Sequence, residues 1–249
     1  MTGQLVIVAG TTGSGKTTTC KEFVVSSNDL WLHFGMDLFF GTIVSSLYST
    51  NGPRSSEGLH LVPDDPAQPD GPGHFELGRE GPGLVRAMHE MVAAAVRSGQ
   101  RVIMDAMMMT DPPFLQDSLA RLHDLPVLFV VLRPAEHLLD QRLEQRIAEY
   151  LNHPSNSGDP GLARRLTEKL KRARNSMTSG VFSHDSYDLV IDSGALKPRQ
   201  VVERIQARLQ EGPGEGFARL AKRFDLTIDP FTQAKFGGGT GRSPVNRQR

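Results

Sequence analysis

The sequence predicts an α/β fold in three layers, a five-stranded parallel sheet with helices on both faces. Two patterns lead there. Short runs are apolar throughout, as strands covered on both faces require, and amphipathic stretches of helical length stand between them. A third observation is size: 249 residues with 38% apolar content suffice for one domain with a substantial core.

Taken in order, Leu5–Ala9 is the first buried strand, and the glycine-rich turn after it opens a helix from Lys16 to about Val25. Trp31–Phe34 reads as the second strand, followed by a helix over Asp37–Leu47. Residues 51–83 hold six Pro, seven Gly and six acids against two Arg, a composition expected to form a long loop. A helix over Gly83–Arg97 leads to the third strand, Arg101–Met104, and a helix over Pro112–Leu122 to the fourth, Val127–Leu132. Helices over Pro134–Leu151 and Pro160–Met177 precede the fifth strand, Tyr187–Ile191, and Pro198–Leu209 is the last long helix. Several of these helices carry Pro in the first turn, where a missing N–H costs nothing. Phe217–Phe236 is expected to add a small helix and an edge segment. The domain organisation expected is therefore a main domain over 1–211, an appendage over 212–236 and a flexible tail over 237–249, whose four Gly and three Arg stand without an acid.

Composition excludes several function classes. No apolar run approaches the roughly 20 residues of a spanning helix. The first residues lack a basic segment and a cleavable apolar stretch, so a cytoplasmic location is expected. One cysteine, Cys20, excludes a disulfide framework. Lys plus Arg and Asp plus Glu both number 28, a balance without the basic excess of a nucleic-acid binder. The oligomeric state is left open. The eight His form no H-E-x-x-H pairing, and G-x-S-x-G is absent.

The chemistry concentrates in Gly10-Thr11-Thr12-Gly13-Ser14-Gly15-Lys16-Thr17, which satisfies G-x-x-x-x-G-K-[ST] between a strand and a helix. Glycines let successive N–H groups converge on phosphate oxygens, and the helix N-terminus adds its partial positive charge. Lys16 reaches the β/γ-phosphates, Thr17 offers a hydroxyl to Mg²⁺, and Thr18 completes the ATP-binding set. Asp105 ends an apolar strand, where a carboxylate either holds Mg²⁺ or caps a turn. Asp37 follows the second strand on the same rim. Two roles fit it, the base that takes a hydroxyl proton during phosphoryl transfer and the cap of the following helix. Arg142 and Arg146, at i and i+4, share a helix face and form either a phosphate-closing pair or a solvated one. Met107, Met108 and Met109 suit an adaptable acceptor wall or plain core. The basic run 161–175 reads as a one-sided helix whose Arg164, Arg165, Lys169, Lys171, Arg172 and Arg174 form a solvated or lid-edge face.

Gly13-Ser14-Gly15-Lys16, Trp31-Leu32-His33-Phe34-Gly35-Met36-Asp37 and Val102-Ile103-Met104-Asp105 together resemble the chloramphenicol phosphotransferase family of P-loop kinases. The W-L-x-F-G-x-D segment is the specific part, and the resemblance spans roughly residues 4–210, taking in Val127–Leu132 and Arg142–Arg146. It implies a P-loop kinase-like fold with a helical lid over 140–177 and ATP and Mg²⁺ as cofactors. It makes Asp37 the base, Lys16 and Thr17 the ATP and Mg²⁺ residues, and Arg142 and Arg146 lid arginines. The acceptor implied is a small-molecule antibiotic, of the amphenicol or nucleoside type, phosphorylated for resistance or producer self-protection; the other readings open to the sequence are a kinase of a nucleoside or other small metabolite and a P-loop NTPase that transfers no phosphate. Residues 51–83 would form an acceptor-side loop, with Arg79 and Glu80 as acceptor contacts or as part of a flexible acidic stretch. That loop and the segment 152–175 are longer than the family pattern, which suggests a larger acceptor.

Overall fold

The computed structural model describes residues 3–48, 52–68, 73–152, 161, 167, 169–174, 177 and 181–232. The tail 237–249, with Arg164 and Arg165, lies outside the described residues. Five parallel strands make the main sheet: β1 (Gln4–Ala9), β2 (Leu32–Gly35), β5 (Arg101–Ala106), β6 (Val127–Leu132) and β7 (Leu189–Ile191). Their spatial order is β2-β5-β1-β6-β7. The expected α/β sheet is therefore present with its five strands, each within two residues of the sequence-based bounds. Around it lie α1 (Lys16–Ser26), α2 (Met36–Leu38), α3 (Gly81–Arg97), α4 (Phe114–Leu122), α5 (Glu136–Asn152), α6 (Pro198–Gln210) and α7 (Gly216–Ala221). Residues 169–174 are helical. Among the described residues no helix is long and apolar enough to cross a membrane.

Strand alternation sorts the core into two halves. Val6, Val8, Ile103, Leu128, Val130 and Leu132 point to the face covered by α1 and α6, where Cys20, Phe23, Val201 and Ile205 meet them. Leu5, Ile7, Val102, Met104, Phe129 and Val131 point to the other face, under α3, α4 and α7. β1, β5 and β6 contribute to both halves, which is why their central runs, Leu5–Ala9, Val102–Met104 and Val127–Leu132, carry no polar positions. Burial of so many branched side chains, at roughly 1.5–3 kcal/mol each, is the main force holding the layers together.

Two regions depart from expectation. The helix expected over Asp37–Leu47 is instead the short α2, continued by a π-helical turn over Phe39–Ile43. Phe39 and Phe40 are adjacent in sequence yet both buried, with ring centroids 5.3 Å apart, and the wider turn brings both rings into one core. The expected loop 51–83 contains a hairpin, β3 (Leu59–Pro63) antiparallel to β4 (Gly73–Leu77). The register sets Leu59 opposite Leu77 and Leu61 opposite Phe75, one apolar face resting on the core, with His60, His74 and Glu76 on the other.

Candidate active site

A cleft of about 750 Å³ opens at the carboxyl ends of the strands. Ligands of open α/β sheets bind at such a rim, because the connections part there and leave backbone groups accessible. The loop after β1 forms its floor. Gly13 and Gly15 adopt φ of 84° and 96°, a left-handed conformation that glycine alone takes without strain. Thr11 Oγ1 and Ser14 Oγ are buried without a hydrogen-bond partner among the described residues. Buried hydroxyls ordinarily have one, so an acceptor-rich group such as a phosphate fits a loop of this build. Lys16, the first residue of α1, donates from Nζ to the carbonyls of Gly10 (2.8 Å) and Thr11 (2.9 Å). Burial lowers its pKa from the ordinary value, against the pull of Asp105 and Asp37. Thr12 donates its hydroxyl to Met177 Sδ at 3.3 Å, joining the loop to the segment after α5.

The W-L-x-F-G-x-D segment is explained residue by residue. Trp31 turns to the α1 face and packs edge-on against Phe23 at 4.9 Å, while Leu32 and Phe34 turn to the opposite half of the core. Gly35 pairs in register with Asp105 of β5, and a Cβ at Gly35 would sit 2.9 Å from Asp105 Cγ. The glycine is there so that the carboxylate can lie against the strand. Asp37 then projects from α2 into the cleft, exposed, close enough to Lys16 to act on its titration.

Asp105 is 4% exposed. Burial pushes its carboxyl up, but hydrogen bonds from His33 and Thr17 and the charge of Lys16 outweigh that and hold it below the usual range. His33 Nε2 lies 3.3 Å from Asp105 Oδ2. Thr17 and Asp105 thus meet at the end of the phosphate loop, an oxygen-only pair of the kind Mg²⁺ takes. His33 was not singled out by sequence reasoning, since its contact depends on which strands are neighbours.

Arg142 and Arg146 both line the cleft from α5. Arg142 donates to the carbonyl of Gly13 (3.2 Å) and to that of Ser193 (2.8 Å). Ser193, in the turn after β7, in turn donates its hydroxyl to the Ser14 carbonyl at 2.6 Å. Ser193 is a further cleft residue that no motif flagged. Thr18 lines the cleft as well. Of the three consecutive methionines, Met107 reaches the cleft wall, where it joins Met36 and Met177, while Met108 and Met109 are fully buried core. Arg79 pairs with Glu57 and Glu80 on the surface, away from the residues that line the cleft. Arg174 is paired with Asp140.

A family model described as chloramphenicol phosphotransferase-like protein matches residues 3–210. No curated protein sequence matches the chain significantly. Among solved structures, a putative kinase from Chloroflexus aurantiacus superposes with a TM-score of 0.50 at 18% identity, covering 84% of this chain and 100% of that one. The APS kinase of Mycobacterium tuberculosis, in complex with AMPPNP and APS, gives 0.50 at 10% identity over 84% and 98%. An unliganded sugar kinase from a Janibacter species gives 0.49 at 16% identity over 84% and 95%. The fold is that of the P-loop kinases.

Proposed function

Because the chain belongs to the chloramphenicol phosphotransferase-like family, we propose that it is an ATP-dependent O-phosphotransferase that moves the γ-phosphate to a hydroxyl of an antibiotic. The observation that carries the reading is the convergence of Lys16, Asp37 and the Thr17–Asp105 pair on one cleft. In this reading the loop from Gly10 to Thr18 holds the triphosphate through main-chain amides. Lys16 leaves its carbonyl partners for phosphate oxygens, an exchange that restores two strong bonds for the two it gives up. Asp37 accepts the proton of the attacking hydroxyl. Arg142 and Arg146 reach over from α5 to spread the charge that develops on the transferring group, the lid role for 140–177. Thr17 and Asp105 are the residues that would hold Mg²⁺, which when bound neutralises phosphate charge.

The wall beside Asp37 supports an acceptor with an apolar body. Met36, Met107 and Met177 line it, side chains that conform to irregular aromatic or aliphatic surfaces. A neutral amphenicol or nucleoside antibiotic meets that description. Mass spectrometry across a panel of such antibiotics, with nucleosides and sugars beside them, should find one class gaining a single phosphoryl group. In Asp37→Asn, turnover should fall by ~10²–10⁴-fold while ATP affinity changes far less, because the proton transfer lost is one to the acceptor hydroxyl. Unchanged turnover in that variant would remove Asp37 as the base, and phosphorylation confined to sugars would remove the antibiotic.

A further inference from the structure

We propose that Cys20, His33 and Asp105 form a site for a zinc-class divalent cation, and that its occupancy shuts off phosphotransfer by drawing Asp105 away from Mg²⁺. A ring nitrogen of His33, Sγ of Cys20 and a carboxylate oxygen of Asp105 all lie within 4.8 Å of one another. They come from three elements, α1, β2 and β5. His33 and Gly35 alternate on the sheet face that α1 covers, as do Ile103 and Asp105 on the neighbouring strand. Cys20 meets them from α1, one turn on from Thr17. It is fully buried, and the His33 side chain is 17% exposed.

The donor set decides which ion belongs there. Sulfur, imidazole nitrogen and carboxylate oxygen are the ligands zinc takes at roughly 2.0–2.3 Å, giving ligand separations of roughly 3.5 Å around a tetrahedron. From separations within 4.8 Å, side-chain rotation of about an ångström closes the site. Mg²⁺ asks instead for oxygen donors in an octahedron and has no use for the thiol. Asp105 is therefore shared between an oxygen pair completed by Thr17 and a softer set completed by Cys20 and His33. The route in is the nucleotide cleft, whose wall Asp105 helps to form. As the sulfur–metal bond forms, the Cys20 thiol gives its proton to solvent, and His33 gives up its hydrogen bond to Asp105 and contributes an unprotonated ring nitrogen, the other ring nitrogen keeping its proton. Three protein donors leave one tetrahedral position for water or a phosphate oxygen. Burial pushes the Cys20 thiol well up from its ordinary value, so without an ion it is a poor nucleophile.

The binding half of this inference stands on geometry, whereas the inhibitory half rests on the role proposed above for Asp105. Co²⁺ titration of the metal-free full chain reads the first half without any turnover. A sulfur-to-cobalt charge-transfer band should grow in, be abolished in Cys20→Ala, and be displaced by Zn²⁺. In parallel, Zn²⁺ should inhibit ATP turnover under excess Mg²⁺, with the inhibitory concentration rising ~10-fold or more in Cys20→Ala. Uninhibited turnover of Cys20→Ala should match that of the parent. Cys20→Ser, nearly isosteric, serves beside it should the smaller side chain weaken packing on α1. Absence of the cobalt band, or equal Zn²⁺ affinity in parent and both variants, would overturn the site. A band accompanied by undiminished turnover would overturn the inhibitory role.

Discussion

Gly35 shows how one missing methyl group can set the position of a buried carboxylate, that of Asp105. Its backbone is extended, so conformation does not demand glycine; the Asp105 side chain packed against it does. Gly35→Ala would push Asp105 off Thr17. We expect the Mg²⁺ concentration needed for half-maximal activity to rise ~10–100-fold, the range seen when a metal ligand loses its orienting neighbour, as a Mg²⁺ titration of turnover would reveal. The sequence places Gly35 and Asp105 at strand ends but cannot say that they touch, because that follows from β2 and β5 being neighbours in the sheet. His33 and Cys20 were silent for the same reason. Residues within the phosphate loop were legible because there spacing along the chain is the geometry. Arg79 was legible as a charge but not as a member of a surface trio with Glu57 and Glu80.

At the scale of elements, the turn after β7 acts as a brace for the phosphate loop. The Ser193 hydroxyl and the Arg142 guanidinium fasten it at Ser14 and Gly13. Ser193→Ala removes one such bond of about 1 kcal/mol, and the KM for ATP should rise ~5-fold with kcat little changed, as steady-state kinetics would register. An equal fall in kcat would mean that Ser193 acts in the transition state instead. The hairpin β3–β4 was readable in principle. Leu59, Leu61, Phe75 and Leu77 alternate with His60, His74 and Glu76, the period of a half-buried strand. Pro and Gly in the connection between the strands dominate the local composition and mask that period. The π turn after α2 was not readable, since no local signal distinguishes two adjacent buried phenylalanines from one buried and one exposed.

Across the whole molecule, the matched family region ends at residue 210 but the core does not. Phe217, Leu220 and Phe231 are buried against Phe129 and its neighbours, and Asp188 receives the amides of Phe129, Glu215 and Gly216, stitching α7 to the sheet. Arg86 of α3 pairs with Asp229 and stacks over Phe231. Ending the chain at Glu211 would strip out several large apolar side chains at ~2–5 kcal/mol each, comparable to the whole stability of a domain. That truncated chain should fail to show a cooperative urea transition. Phe217, Leu220 and Ala221 stand at i, i+3 and i+4, the period of the small helix expected there, but nothing in the sequence says which surface that face packs on. Acid should weaken the same region. Burial, with Arg223 and Arg133 nearby, pushes His184 down to about 4, and its Nδ1 accepts the Ser186 amide, which requires the neutral ring. The unfolded chain binds this proton near pH 6.5 and the folded chain near 4, so the contribution is complete above 6.5 and is lost as pH falls between them. Partial exposure of the ring limits it to about 2 kcal/mol, and His184→Gln should flatten the stability profile over that window. The sealed position of the chain's one sulfhydryl, at 0% exposure beneath the first helix, also makes the molecule its own reporter. A maleimide dye has nothing to react with until that helix lifts from the strands, so the pace of labelling clocks local opening at the nucleotide cradle in an otherwise unmodified enzyme.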